Sequence, residues 1–166
     1  LGVAAILDFF GKPYQLLSAG PFKRNEVIKY QDKFSDTMIF QDASERNSSA
    51  LILCDCSELF RIGEIDGDFR HMDTFIIDHH KTGNLDEKTQ GYINSEAPAC
   101  AYLVQIFYEM LIGNVPEDIS KILFFGICTD TGFFHFLTSN SAPVFTAAAR
   151  LVANGADPRV TYTEIT

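Results

Sequence analysis

Thr74-Phe75-Ile76-Ile77-Asp78-His79-His80 is an apolar run that ends in a carboxylate and two imidazoles. Leu51-Ile52-Leu53-Cys54-Asp55 repeats the pattern about two dozen residues earlier in the chain. Short continuous apolar runs of this kind read as buried parallel strands, whose residues are covered on both faces. Downstream the periodicity changes to that of helices. Leu103, Ile106, Phe107, Met110 and Leu111 predict a helix stopped by Gly113-Asn114. Pro116, followed by Glu117 and Asp118, opens another, with Ile119, Ile122, Leu123, Gly126 and Ile127 as its apolar face. A third is expected after Asn140-Ser141, with Phe145, Ala148, Ala149 and Val152 facing inward and Gly155 as its cap. Strands followed by helices predict an α/β fold with a mostly parallel sheet. Ligands in such sheets sit outside the carboxyl ends of the strands, where Asp55 and Asp78-His79-His80 fall.

The remaining segments are less patterned. Leu1 to Phe10 is apolar nearly all round and reads as a buried helix stopped by Gly11 and Pro13. Tyr14 to Ser18 reads as a short strand, Glu26 to Phe34 as a helix and Gln41 to Ser49 as a loop.

Composition narrows the function classes. The chain has 166 residues, 22 acidic against 13 basic, for a net charge of −9, and 46% hydrophobic residues. That length suits one compact domain, and the apolar share can fill its core. With charged residues at 21% and fifteen Phe, disorder is excluded. A duplex-DNA groove is excluded too, since counterion release needs clustered Lys and Arg. No apolar stretch approaches the ~20 residues of a membrane span, and Leu1 to Leu7 lacks the basic start of a signal peptide. Cys54, Cys56, Cys100 and Cys128 have no paired-ligand spacing and read as reduced core residues, which favours a cytoplasmic protein.

Chemistry concentrates at three places: Asp55, Asp78-His79-His80, and Thr129-Asp130-Thr131-Gly132 at a helix end. Each alone has a bland reading as a cap or turn. Together they offer carboxylates and imidazoles from three segments at sheet edges. Mixed Asp/His ligation suits Mn²⁺ or a similar six-coordinate ion better than structural zinc. Two such ions can activate water and neutralise phosphoryl charge, which lets an acidic protein hold an anionic substrate.

These residues carry a resemblance. Ile76-Ile77-Asp78-His79-His80-Lys81 is similar to the signature of the DHH phosphoesterase family. Leu53-Cys54-Asp55-Cys56-Ser57 resembles that family's second motif, and Gly126-Ile127-Cys128-Thr129-Asp130-Thr131-Gly132-Phe133-Phe134 its fourth. Tyr92-Ile93-Asn94 and Gly155-Ala156-Asp157-Pro158 look most like the bacterial oligoribonuclease and 3′-phosphoadenosine 5′-phosphate phosphatase branch.

The resemblance implies two divalent ions, Mn²⁺ foremost, with Asp55 bridging them and His79 and Asp130 completing the second ion's ligands. It implies His80 beside the scissile phosphate or the attacking water, and Asp78 behind the ligands, fixing the loop and the imidazole. Thr131 and Gly132 would shape the turn presenting Asp130, with Thr131 and His135 as weaker substrate contacts. The substrate would be short RNA or a nucleotide. Rival readings are a cyclic-dinucleotide phosphodiesterase, a manganese-dependent inorganic pyrophosphatase and a non-catalytic nucleotide-binding module. The family suggests a homodimer.

Some features depart from the family. Its first motif, His-x-x-x-Asp-x-Asp, is absent, and Leu1-Gly2-Val3-Ala4 resembles the helix that follows it. The family's C-terminal substrate-binding domain, with its glycine-rich, His-containing motif, is expected to lie outside these residues. Residues 1–166 are therefore expected to be one DHH-type domain, lacking its first strand and inactive alone. Pro98-Ala99-Cys100-Ala101 stands where relatives carry Ser-Thr. His71 and Lys81 read as solvated, His135 as a strand-edge or surface imidazole, and the Phe-Phe pairs at 9–10, 124–125 and 133–134 as core.

Overall fold

The computed structural model describes residues 1–69, 71–81, 87 and 89–166. The fold is α/β, and the chain divides into two compact units, Tyr14–Asn94 and Leu1–Pro13 with Ser95–Thr166.

The unit Tyr14–Asn94 is built on a parallel sheet of three strands, β1 (Ala50–Cys54), β2 (Asp73–Asp78) and β3 (Thr89–Ile93), in that spatial order. Register places Cys54 opposite Ile77 and Asp78 opposite Ile93, so the ends of the strands are level. Both apolar runs are strands, as their composition requires. Their burial differs from expectation: β2 is largely buried, whereas Ile52, Cys54, Phe75 and Tyr92 are exposed. Side chains alternate across a strand, and the register puts these four on one face of the sheet. Cys54 is thus not a core residue, and Cys56 is half-buried, while Cys100 and Cys128 are buried.

Loops in this unit differ more from expectation. Tyr14 to Ser18 forms only an isolated bridge, Leu17 to Ser35, not a strand. The helix expected over 26–34 is a single turn, α2 (Asn25–Ile28), followed by a 3₁₀ turn at Gln31–Lys33. The expected loop at 41–49 contains α3 (Ala43–Asn47), whose first turn is held by the Asp42 carboxylate accepting from the Glu45 amide at 2.8 Å. Asp followed three residues later by Glu was the available signal. β3 was also missed, because Thr89-Gln90-Gly91 is neither apolar nor alternating.

The second unit packs α1 (Gly2–Phe9), α4 (Cys100–Leu111), α5 (Glu117–Asp130), α6 (Ala142–Ala153) and α7 (Pro158–Ile165). Helix α5 is its centre. Leu123, Phe124, Phe125, Ile127 and Cys128 are all buried, leaving little of its circumference to solvent. Gly126 lets α4 approach closely: a β-carbon there would stand 2.7 Å from that of Ala101. On α4 and α6 the buried faces are rotated from those expected. Val104 and Tyr108 are inside while Met110 and Leu111 are exposed, and Val144, Ala147 and Leu151 replace Phe145 and Val152. The apolar residues outnumber the positions each helix can bury, so periodicity left the face ambiguous. Phe9 and Phe10 are likewise exposed, correcting the expectation of a wholly buried first helix and of a core Phe-Phe pair. Helix α7 was not foreseen, although Asp157-Pro158 is a helix start; the Asp157 carboxylate accepts from the Arg159 and Val160 amides.

A polar clip joins α4 to α6. Arg150 donates from Nε and Nη2 to the two oxygens of Glu109 at 2.8 and 2.7 Å, and buried Gln105 donates to Glu109 and to the Ala147 carbonyl. Burial pushes the Glu109 carboxyl upward, but hydrogen bonds from Arg150 and Gln105 outweigh it and hold it below its ordinary range. Folding therefore lowers this pKa, and the resulting stability is present at neutral pH and lost as pH falls through the depressed value. Glu109→Gln should cost about 1 kcal/mol at pH 7 in urea denaturation. The difference from wild type should shrink toward zero as pH falls through the depressed Glu109 value, below the ordinary carboxylate range.

Candidate metal centre

Level strand ends are what bring the site together. The Asp55 amide donates to the Ile77 carbonyl at 2.9 Å, extending the β1–β2 pairing one residue beyond β1. The Asn94 amide donates to the Asp78 carbonyl at 3.0 Å and fastens β3 behind it. Asp55 itself leaves the strand with φ of 61°, in the left-handed region that Asp tolerates better than most residues. A backbone forced there at a strand edge is typical of functional sites.

Asp78, His79, His80 and Asp55 each offer a donor atom within 4.8 Å of the other three. The Asp78 side chain is 1% exposed, and its Oδ1 accepts from the His79 amide (2.8 Å), the His80 amide (3.2 Å) and His80 Nδ1 (2.7 Å). Burial pushes the Asp78 carboxyl up, yet these bonds to its charged form outweigh burial and hold it below its ordinary value. An ionised carboxylate only accepts, so His80 Nδ1 carries the proton of that bond, and Nε2 of the neutral ring keeps its lone pair. His79 Nε2 lies 3.1 Å from Asp55 Oδ1, and the two imidazoles are 4.3 Å apart between centroids. Asp55 is half-exposed, and the burial of its other half raises its pKa; His79 and His80 pull it back down, and Asp78 adds to the rise.

These residues fit a divalent cation. Adjacent ligands at about 2.1 Å from an octahedral ion stand roughly 3 Å apart, the spacing found between His79 Nε2 and Asp55 Oδ1. Asp78 Oδ2 is buried and has no hydrogen-bond partner among the described residues, which leaves uncompensated negative charge beside the group that a nearby cation would offset. Imidazole and carboxylate donors without a thiolate suit Mn²⁺ or a similar ion. Cys54 and Cys56 do not belong to the group, and the Cys56 thiol donates to the Glu58 carbonyl instead.

The other expected site residues lie in the helical unit. Asp130 is the exposed last residue of α5. Thr131 is buried, its hydroxyl donating to the Ile127 carbonyl at 2.7 Å and accepting from the Phe134 amide at 3.0 Å. His135 is exposed and follows a left-handed turn, not a strand. His71 and Lys81 are exposed, as expected of solvated residues. Two features had no signal in the sequence: the unpartnered oxygen of Asp78 and the left-handed backbone of Asp55.

Asp55→Asn should weaken divalent-cation binding, followed by calorimetry, by about tenfold or more, since the amide keeps the shape and removes the charge. Folding raises the Asp55 pKa, so its ionisation opposes folding, and that cost sets in as pH rises through the folded value. The metal-free variant should accordingly match or exceed the wild-type Tm at pH 7, whereas Asp55→Ala should lose about 1 kcal/mol through the left-handed backbone. Asp78→Ala should cost about 2–3 kcal/mol in urea at neutral pH, because two amides and an imidazole lose their acceptor. Folding lowers the Asp78 pKa, so this contribution should disappear as the solution is taken well below pH 4.

No described helix is long and apolar enough to cross a membrane. No family model matches the chain, and no curated protein sequence does. Among solved structures, the crystal structure of an exopolyphosphatase-related protein from Bacteroides fragilis is similar, with a TM-score of 0.77 at 17% identity. The match covers 99% of this chain and 50% of that one, so the chain spans about half the length of that protein. At this identity the likeness establishes a shared fold, and the three-stranded parallel sheet with its helices belongs to that fold.

Proposed function

We propose that this chain carries the metal-binding part of a DHH-type phosphoesterase, of the branch that hydrolyses short oligoribonucleotides or 3′-phosphoadenosine 5′-phosphate. The observation that carries the reading is the convergence of Asp55, Asp78, His79 and His80 at one sheet edge, with donor atoms within 4.8 Å. The fold shared with an exopolyphosphatase-related protein supports phosphate chemistry of this class.

Asp55 would be the bridging carboxylate, with His79 and Asp130 as further ligands. Two divalent ions, when bound, supply Lewis acidity toward the phosphoryl oxygens and lower the pKa of water. Asp78 orients: its Oδ1 fixes both histidine amides and the His80 ring, which aims that imidazole and sets its tautomer. His80 Nε2, left with its lone pair, would take a proton from the attacking water or meet the phosphate when protonated. Thr131 holds the turn after Asp130, and His135 is proposed near the substrate. The working protein would be cytoplasmic and could pair as a homodimer.

The description of the structural neighbour favours a second reading, hydrolysis of inorganic polyphosphate. Offering the Mn²⁺-loaded full-length protein a ribonucleotide dimer, 3′-phosphoadenosine 5′-phosphate, cyclic di-AMP, pyrophosphate and polyphosphate separates the cases. Release of nucleoside monophosphate from the first two is expected, and cleavage of inorganic substrates alone would overturn the nucleotide branch. His80→Ala should lower turnover by about 10²- to 10⁴-fold, with Mn²⁺ affinity changed far less.

A further inference from the structure

Gly91 sits in the middle of β3, opposite Ile76 of β2. It is not among the residues with positive φ, so its backbone angles do not call for glycine. Proximity does. A β-carbon at position 91 would stand 2.9 Å from the Ile76 carbonyl oxygen, 3.1 Å from the Ile76 β-carbon and 3.4 Å from the Ile76 nitrogen. The first of these lies well inside the ~3.5 Å of van der Waals contact. All three atoms belong to the main chain or are fixed to it, so none can rotate away as a side-chain tip can. A glycine within a strand marks a close backbone approach of this kind.

The approach is made just before β2 delivers its metal-binding residues. Two rungs further along the ladder Asp78 pairs with Ile93, and the Asn94 amide donates to the Asp78 carbonyl at 3.0 Å. On the other side of β2 the Asp55 amide donates to the Ile77 carbonyl at 2.9 Å. The end of β2 is thus gripped from both neighbouring strands, and the grip from β3 lasts only while β3 lies close. Bulk added at position 91 has two outlets: β3 moves away from β2, or the Ile76 peptide tilts. Either one displaces the Asp78 main chain. With it goes the carboxylate oxygen that holds the His79 and His80 amides and His80 Nδ1.

We infer that Gly91 is a positioning residue of the metal centre: the missing side chain lets β3 clamp Asp78, which in turn fixes His79 and His80 for a divalent cation. The inference rests on the reading of Asp55, Asp78, His79 and His80 as a metal site. A glycine serving sheet packing alone would affect stability and leave the centre unaltered, so the test reads the centre directly.

In the full-length protein, Gly91→Ala should bind Mn²⁺ about 10- to 100-fold more weakly by calorimetry, the range expected when the support behind a ligand is disturbed. Nitrogen-15 spectra of the metal-free protein should show the neutral His80 ring as the Nδ1–H tautomer in wild type and as a mixture of tautomers in Gly91→Ala. Gly67→Ala controls for general destabilisation of the same unit, since its backbone has φ of 146° and its β-carbon would stand 2.7 Å from that of Met38. That variant should lower Tm, keep Mn²⁺ affinity within about twofold and leave the tautomer unchanged. Asn94→Pro deletes the clamping amide and keeps the glycine. It should reproduce both changes, and it decides the matter if Gly91→Ala does not fold. Wild-type affinity with an unaltered tautomer in Gly91→Ala, an equal loss of affinity in Gly67→Ala, or unchanged binding in Asn94→Pro would overturn the positioning role. If the wild-type protein binds no Mn²⁺, the metal-site reading fails, and the tautomer comparison alone decides whether Gly91 positions His80.

Discussion

Parallel pairing of β1 with β2, in the register that sets Cys54 opposite Ile77, is the constraint on which the candidate metal centre depends. Parallel strands end at the same edge, so residues one step past each end become neighbours. A slip of one residue would turn the side chains of a strand to the opposite face and separate Asp55 from His79. The main-chain bond from Asp55 to Ile77 fixes this edge where a side-chain interaction alone would be weak. The site is therefore as rigid as the backbone ladder behind it, which favours ligands held to within a few tenths of an ångström.

Within that edge the two carboxylates have opposite electrostatic situations. Asp78 is buried but saturated on one oxygen by three donors, so its charge is stabilised despite the loss of water. Asp55 has fewer compensating donors, and its charge is held at a cost that a cation would relieve. Such a division between a carboxylate that organises and one that is left to bind follows from desolvation and hydrogen bonding, without any difference in residue type. The left-handed backbone of Asp55 adds to the same pattern, because strain persists where the surroundings over-determine it.

The helical unit shows a related economy at the other end of α5. Thr131 is buried and uses its hydroxyl twice, once toward the helix that ends and once toward the turn that begins. Phe133 and Phe134 look like core residues by composition, and both are half-buried. Their packing on Tyr162 and Phe145 offsets the unfavourable backbone and turns the following residues outward.

Much of the site was legible from residue order alone. Two apolar runs ending in Asp, the second followed by paired histidines, point to strands with donors at their ends, because runs of about five residues rich in Ile and Phe are too short for a typical helix. Which of their residues are covered was not legible, since Ile52 and Phe75 are exposed. Four of the group's donors, Asp55, Asp78, His79 and His80, follow from that pattern. Less was legible where local signals compete. Glycine at position 91 disguised β3, a sequence of only five residues hid α3, and surplus apolar residues on α4 and α6 left their inward faces undecided. Local composition determined which segments are strands or helices and which residues can donate to a cation. Only the tertiary structure decided the register that makes Asp55 and His79 neighbours, the burial that strands one oxygen of Asp78, and the left-handed turn that follows α5. Each of these depends on contacts between segments distant in the chain or on backbone angles that no single residue type compels.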